Sequence, residues 1–265
     1  MLPKTVSLIP LLSLILGACS LLSHPSEKDL ARAENYFNAG VAFFEDKSYA
    51  ESLQAFEEAA RLSPQDSNIE MHRALALFKV GREEQALDIL QKTCPERPEF
   101  PECYNNYSQL LILKRHYLEG LQAADKALAS PTYSSPDFAR VTKGLALHHL
   151  GRHQEAITTW KSVHEPNRPL RCRISLYLSR SSLALANFSE ASRHARIGRD
   201  LCENDPHGPI WMAYVQYRLG EIDDARSVLT EAIRTFRTPE ARDQARVMLN
   251  RLNREEVLAE PSLFL

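Results

Sequence analysis

The stretch AENYFNAGVAFFEDKSYAESLQAFEEAARL, residues 33–62, sets small residues at Gly40, Ser52 and Ala59 into an otherwise bulky amphipathic pattern. The same placement returns in frames of about 34 residues, a period that marks stacked repeats. Frames starting at Ala33, Ser67, Pro101, Asp137, Cys172 and Pro206 carry Gly40, Ala74, Ser108, Gly144, Ser179 and Ala213 at the eighth position. The twentieth holds Ser52, Ala86, Gly120, Ala156, Ala191 and Ala225, and the twenty-seventh Ala59, Thr93, Ala127, Val163, Gly198 and Ala232. Phe56, Leu90, Trp160 and Leu229 stand at the twenty-fourth, a pattern that Ala124 and Ala195 break. Two antiparallel helices approach closely only where facing side chains are small, and neighbouring pairs then bury the large ones. Each frame therefore reads as one helical hairpin.

Gly81, Gly151 and Gly220 fall at the turn of three frames, where glycine permits positive φ without steric cost. Pro64, Pro98 and Pro206 fall at or near hairpin boundaries, since a helix interior excludes proline. The pattern resembles the tetratricopeptide repeat from about Ala33 to Pro239. The expected fold is all-α: a tetratricopeptide-repeat solenoid of six hairpins over residues 33–239. Residues 240–265 are expected to form a capping helix, Glu240 to Ala259, and a tail, with Ala245, Met248, Leu249 and Leu252 on one face.

Upstream, Lys4, an apolar run from Val6 to Leu16 and the sequence Leu16-Gly17-Ala18-Cys19 form a secretory signal pattern too short to span a bilayer. It resembles a bacterial lipoprotein signal over residues 1–18, which implies an acylated Cys19 at the mature N-terminus. Ser20 beside it points to the outer membrane, periplasmic face. An ordinary cleaved signal with a chance cysteine is the alternative. Residues 19–32 read as lipidated N-terminus and polar linker, with Pro25 discouraging an early helix. No cofactor is expected other than that covalent lipid.

The charge balance, 32 Lys plus Arg against 34 Asp plus Glu, gives no electrostatic case for nucleic acid. With Cys19 assigned to lipid, Cys94, Cys103, Cys172 and Cys202 remain as an even set in an oxidising compartment, with three possible connectivities. On the repeat frame, Cys94 ends repeat two and Cys103 starts repeat three, while Cys172 starts repeat five and Cys202 nearly ends it. The expected pairs are Cys94 with Cys103 and Cys172 with Cys202; buried, reduced thiols are the alternative.

Arrays of this kind bind partners with the first helix of each hairpin. That resemblance places Phe37, Val41 and Phe44, then Met71, Leu75 and Phe78, then Asn105, Gln109 and Ile112 along a groove suited to an amphipathic helix or extended peptide. Several of these side chains could equally pack between repeats. Phe37 and Val41 occupy places where carboxylate-clamping arrays carry lysine and asparagine, so a C-terminal carboxylate is not the expected ligand.

Asn105-Asn106-Tyr107, Tyr117, Ala127, Pro131, Tyr133 and Gly144-Leu145 are similar to the pilotin family of type IV pilus systems, the PilF/PilW/Tgl-like lipoproteins, with Ser108 and Thr142 as departures from its usual glycine and asparagine. The resemblance implies a non-enzymatic lipoprotein that binds secretin subunits and assists their localisation and multimer assembly. A scaffold for outer-membrane protein assembly or for cell-wall enzymes is the second reading, and a hydrolase accessory the third. No small-molecule substrate is expected, since no phosphate loop, paired-carboxylate cleft or nucleophile elbow occurs. His148, His149 and His153 are read as exposed turn residues, because Gly151 interrupts the helical spacing that would aim them at one metal ion. The sequons at Asn106 and Asn187 read as chance.

Overall fold

The computed structural model describes residues 25–96, 99–164, 166–202 and 205–261. The lipid-signal region and Pro98 lie outside these. Thirteen helices and no strand occur among the described residues. They pair as α1 (Glu27–Glu45) with α2 (Tyr49–Leu62), α3 (Ser67–Lys79) with α4 (Glu83–Glu96), and α5 (Pro101–Leu113) with α6 (Tyr117–Ala129). The series continues with α7 (Pro136–His149) and α8 (His153–Lys161), α9 (Arg168–Ala184) and α10 (Phe188–Leu201), and α11 (His207–Arg218) and α12 (Ile222–Thr235), before α13 (Pro239–Asn253). Among the described residues no helix is long and apolar enough to cross a membrane.

The small-residue frame is the contact surface of each hairpin. Ala74, Ser108, Ser179 and Ala213 are fully buried, as are Ser52, Ala86, Ala156, Ala191 and Ala225 opposite them. Backbones come close enough there for hydroxyls to bond across. Ser52 Oγ donates to the Gly40 carbonyl at 2.8 Å, Ser108 Oγ to that of Gly120 at 2.6 Å, and Ser179 Oγ to that of Ala191 at 2.7 Å. A Cβ on Gly40 would lie 2.7 Å from the Phe56 ring, and one on Gly144 only 2.1 Å from Trp160 Nε1. Where the second helix offers Ala124 or Ala195, the first supplies the bulk. Ile112 presses on Gly120 and Leu176 on Gly198, and both are fully buried.

The first helices of successive hairpins pack against one another, from α1·α3 through α9·α11, whereas among the described residues no pair of second helices packs comparably. The first helices therefore lie on the shorter, inner arc of the solenoid. This is the tetratricopeptide-repeat solenoid expected from the frame.

Two boundaries differ from the sequence reading. The helix begins at Glu27, inside the expected 19–32 linker, because Ser26 supplies an N-cap that accepts from Asp29 N–H while Pro25 stays outside. The capping helix ends at Asn253 rather than Ala259: Glu255 takes a left-handed φ of 58°, and the chain beyond runs non-helically to Pro261.

The turns show a second regularity. Gly81, Gly151 and Gly220 have φ of 82°, 76° and 79°, and the equivalent Lys47, Arg115 and Ala186 adopt φ of 63°, 64° and 55°. A left-handed conformation costs an L-residue about 1–2 kcal/mol, and glycine returns about 0.4–1 kcal/mol through its looser unfolded state. Ala186→Gly is therefore expected to stabilise by about 0.5–1 kcal/mol. Gly151→Ala, whose Cβ would meet nothing within 4 Å, should lose a similar amount through backbone strain alone. Chemical denaturation of both variants checks the pair; an unchanged Ala186→Gly midpoint would show the turn relaxing without cost.

Candidate functional site

The inner wall opens into a cavity of about 470 Å³ between the first helices of repeats three, four and five. Each helix contributes a different chemistry. α5 brings the amides of Asn105, Asn106 and Gln109 with Glu102; α7 lays down Phe138, Val141 and Leu145; α9 presents Arg173 and Tyr177. The fourth wall is the α6–α7 connection, through Tyr133, Ser134 and Ser135. Frame three is longer than its neighbours, and the extra residues let Tyr133 fold in until it is 8% exposed.

Burial, aided by the charge of Glu102, pushes the Tyr133 phenol up to about 12. Burial also lifts Tyr177 to about 12, against the opposing pull of Arg173 and Arg180. Both phenols stay protonated at any physiological pH. The single Thr142 hydroxyl proton is shared between the Phe138 carbonyl at 2.9 Å and Asn105 Oδ1 at 3.2 Å, so the threonine joins repeat three to repeat four beside the amide. The accessible part of this arrangement suits a peptide: exposed Phe138 for an apolar side chain, the amides of Asn106 and Gln109 for main-chain groups, and opposite charges on Glu102 and Arg173 to fix direction.

Of the nine groove residues read from sequence, Asn105, Gln109 and Ile112 line this cavity. Ile112 is 1% exposed and Met71 5%, so both pack rather than offer accessible anchors, and Asn106 Nδ2 donates to Met71 Sδ at 3.3 Å. Phe37 packs between repeats one and two, 5.7 Å from the Phe56 ring and edge-on to His72 at 4.9 Å. Phe44 meets Tyr49 edge-on, and Val41, Leu75 and Phe78 are half-buried on the wall of the first two repeats. The sequence reading missed Phe138, Val141, Leu145, Arg173 and Tyr177. Extending its own register of groove positions into repeats four and five would have reached Val141 and Leu145.

Both disulfides are present: Cys94 joins Cys103 and Cys172 joins Cys202, with Cα separations of 5.5 and 5.4 Å. The first ties repeat two to the α5 wall of the cavity, the second closes hairpin five behind α9. The histidines require correction. His148 is 9% exposed, not a free turn residue, with Nδ1 2.7 Å from Ser181 Oγ and 3.2 Å from His153 Nδ1. Gly151 brings His153 back over the helix end instead of separating the two. Burial first, then Arg180 and the neighbouring histidines, pull His148 down to about 3, and burial with Arg180 pulls His149 to about 4. They are neutral packing groups, and His149 stacks on Tyr117 at 4.6 Å. Among the described residues no group of three metal-ligating side chains gathers.

Comparison with known proteins agrees with the repeat geometry. Tetratricopeptide repeat models match residues 27–67, 37–101 and 207–230. The small glutamine-rich tetratricopeptide repeat-containing protein 2 of Mycosarcoma maydis is 27% identical over 122 residues, 46% of this chain; the match spans 34% of that relative's length. Among solved structures, Pseudomonas aeruginosa PilF superposes with a TM-score of 0.66 at 12% identity, covering 83% of this chain and 99% of that one. PilW, a widely conserved type IV pilus biogenesis factor, gives 0.70 at 18% identity, covering 80% and 97%. The chain thus has the tetratricopeptide-repeat solenoid fold, the architecture that these two structures share with it.

Proposed function

We propose that this chain is an outer-membrane lipoprotein, held at the periplasmic face through acylated Cys19, that binds secretin subunits and assists their localisation and multimer assembly for type IV pilus biogenesis. The observation that carries the reading is the match in architecture to PilF and PilW over nearly their whole lengths. The lipobox Leu16-Gly17-Ala18-Cys19 adds support from the sequence. Tetratricopeptide arrays bind protein partners, and the cavity between repeats three and five supplies the mixed apolar and amide surface that an extended segment needs. The role is non-enzymatic: the chain captures and holds, and the partner assembles. Confinement to one leaflet raises its effective concentration for a partner inserted in the same membrane. Deleting the gene and blotting membranes for heat-resistant secretin multimers tests the proposal. Loss of multimers and of pili is expected; normal multimers would reject the pilus role and favour a scaffold for other outer-membrane or cell-wall proteins.

A further inference from the structure

Beyond α13 the described residues, through Pro261, stay on the molecule. Glu255 turns the chain, and residues 258–261 come to lie beside His207 and Ile210 of α11, a first helix of the array. Leu258, Ala259, Glu260 and Pro261 form one side of a cavity of about 500 Å³ whose other sides include His207 and Ile210 of α11 and Met248 of α13. Leu258 is 5% exposed within the core that spans the later repeats. Glu260 pairs with Arg180 of α9, in repeat five, and its charge also acts on His149 and His153 of repeat four.

The positions it covers matter. On the repeat frame Ile210 is the counterpart of Phe37, Met71 and Asn105, and Arg180 the counterpart of Val41, Leu75 and Gln109. The tail therefore lies on the register by which such arrays hold extended segments. Its anchors are one apolar side chain in a pocket and one carboxylate on an arginine, with Val257 left 83% exposed between α13 and Leu258. Glu240, Asp243 and Arg251 also line the cavity, and Asp243 pairs with Arg246; the ion pair of Glu260 with Arg180 fixes the direction of the chain. Arg173 and Arg180 lie two turns apart on one face of α9, and Arg173 lines the cavity of repeats three to five.

We propose that the inner face of repeats five and six, from Ile210 to Arg180, is a docking surface for an extended acidic–apolar segment of a partner protein, a leucine followed two residues later by a carboxylate, and that residues 256–261 occupy it as a displaceable stand-in. The proposal deepens the partner-binding reading by naming the recognised chemistry. Tethering gives the tail a high effective concentration, so a free segment binds the intact chain weakly until the tail is released.

The test uses the full chain and a fluorescent peptide of residues 254–261, followed by anisotropy. Leu258→Ser with Glu260→Lys releases the tail, and the peptide is expected to bind this variant at least about tenfold more tightly than the unaltered chain. Adding Arg180→Glu should abolish binding, and a peptide with lysine in place of Glu260 should restore it, an exchange that misfolding cannot produce. Circular dichroism confirms the helix content of each variant. Equal affinity for released and unaltered chains, no binding to the released chain, or indifference to Arg180→Glu would each overturn the proposal. Peptide binding as expected alongside normal secretin multimers in the gene deletion would keep this surface and reject the pilus role.

Discussion

Trp160→Ala is expected to cost about 3–5 kcal/mol, the range for emptying a buried tryptophan site. Trp160 is 1% exposed, its Nε1 donates to the Val141 carbonyl at 3.1 Å, and its ring stacks on Tyr177 at 5.3 Å. Removing it empties the space between α7 and α8 and takes away a partner of the α9 wall. It also leaves the Val141 carbonyl without its indole donor. Repeat arrays are stabilised mainly by neighbour interfaces, so damage in repeat four should weaken the coupling between the hairpins on either side and broaden the unfolding transition as well as lower it. Gly144→Ala attacks the same contact from the other helix. Its Cβ would lie 2.1 Å from Trp160 Nε1, and overpacking of this kind costs about 1–3 kcal/mol or more. The two changes share one space, so their effects should be far from additive, with the alanine at 144 partly filling the gap left in Trp160→Ala. Urea unfolding of both single variants and the double variant measures this. A Trp160→Ala midpoint equal to that of the parent would show the interface collapsing without loss.

On the proposed function, Cys19→Ala is expected to leave the array folded and abolish its membrane retention. The change precedes α1, which starts at Glu27, and spares the four cysteines of the two disulfides. Each buried methylene of an acyl chain contributes roughly 0.8 kcal/mol and a single chain holds only marginally, so a lasting anchor needs several chains on that one residue. Without the thiol no chain is attached. On the proposed function, secretin multimers should then fall to the level of the gene deletion, although partner binding by the purified array survives. Fractionation of the periplasm and membranes, with the multimer blot alongside, reads both effects. Normal multimers from a soluble Cys19→Ala chain would make the anchor incidental.

Between repeats three and four the chain departs from the family resemblance at Ser108 and Thr142, and both departures are absorbed locally. Ser108 faces Gly120 and donates to its carbonyl, so the small pair is preserved with the glycine on the other helix. Thr142 uses its hydroxyl to hold Asn105.

What the sequence determined by itself is the periodic part. Close helix pairs demand small residues at recurring positions, and that demand is written within each frame, from Gly40 with Ser52 to Ala213 with Ala225. Once the frame stands, the neighbours Cys94 and Cys103, and Cys172 and Cys202, follow from the geometry of one hairpin and one connection. Tertiary structure alone decided the rest. Lys47, Arg115 and Ala186 take the left-handed turn that glycine takes elsewhere because the flanking helices over-determine it. His148 is buried by Ser181, a residue one repeat away. The cavity is walled by Tyr133 of the α6–α7 connection together with residues of three first helices, and the tail closes on Arg180, 80 residues distant. Each of these depends on which side chains the solenoid stacks side by side, and a repeat pattern, being local, cannot carry that information.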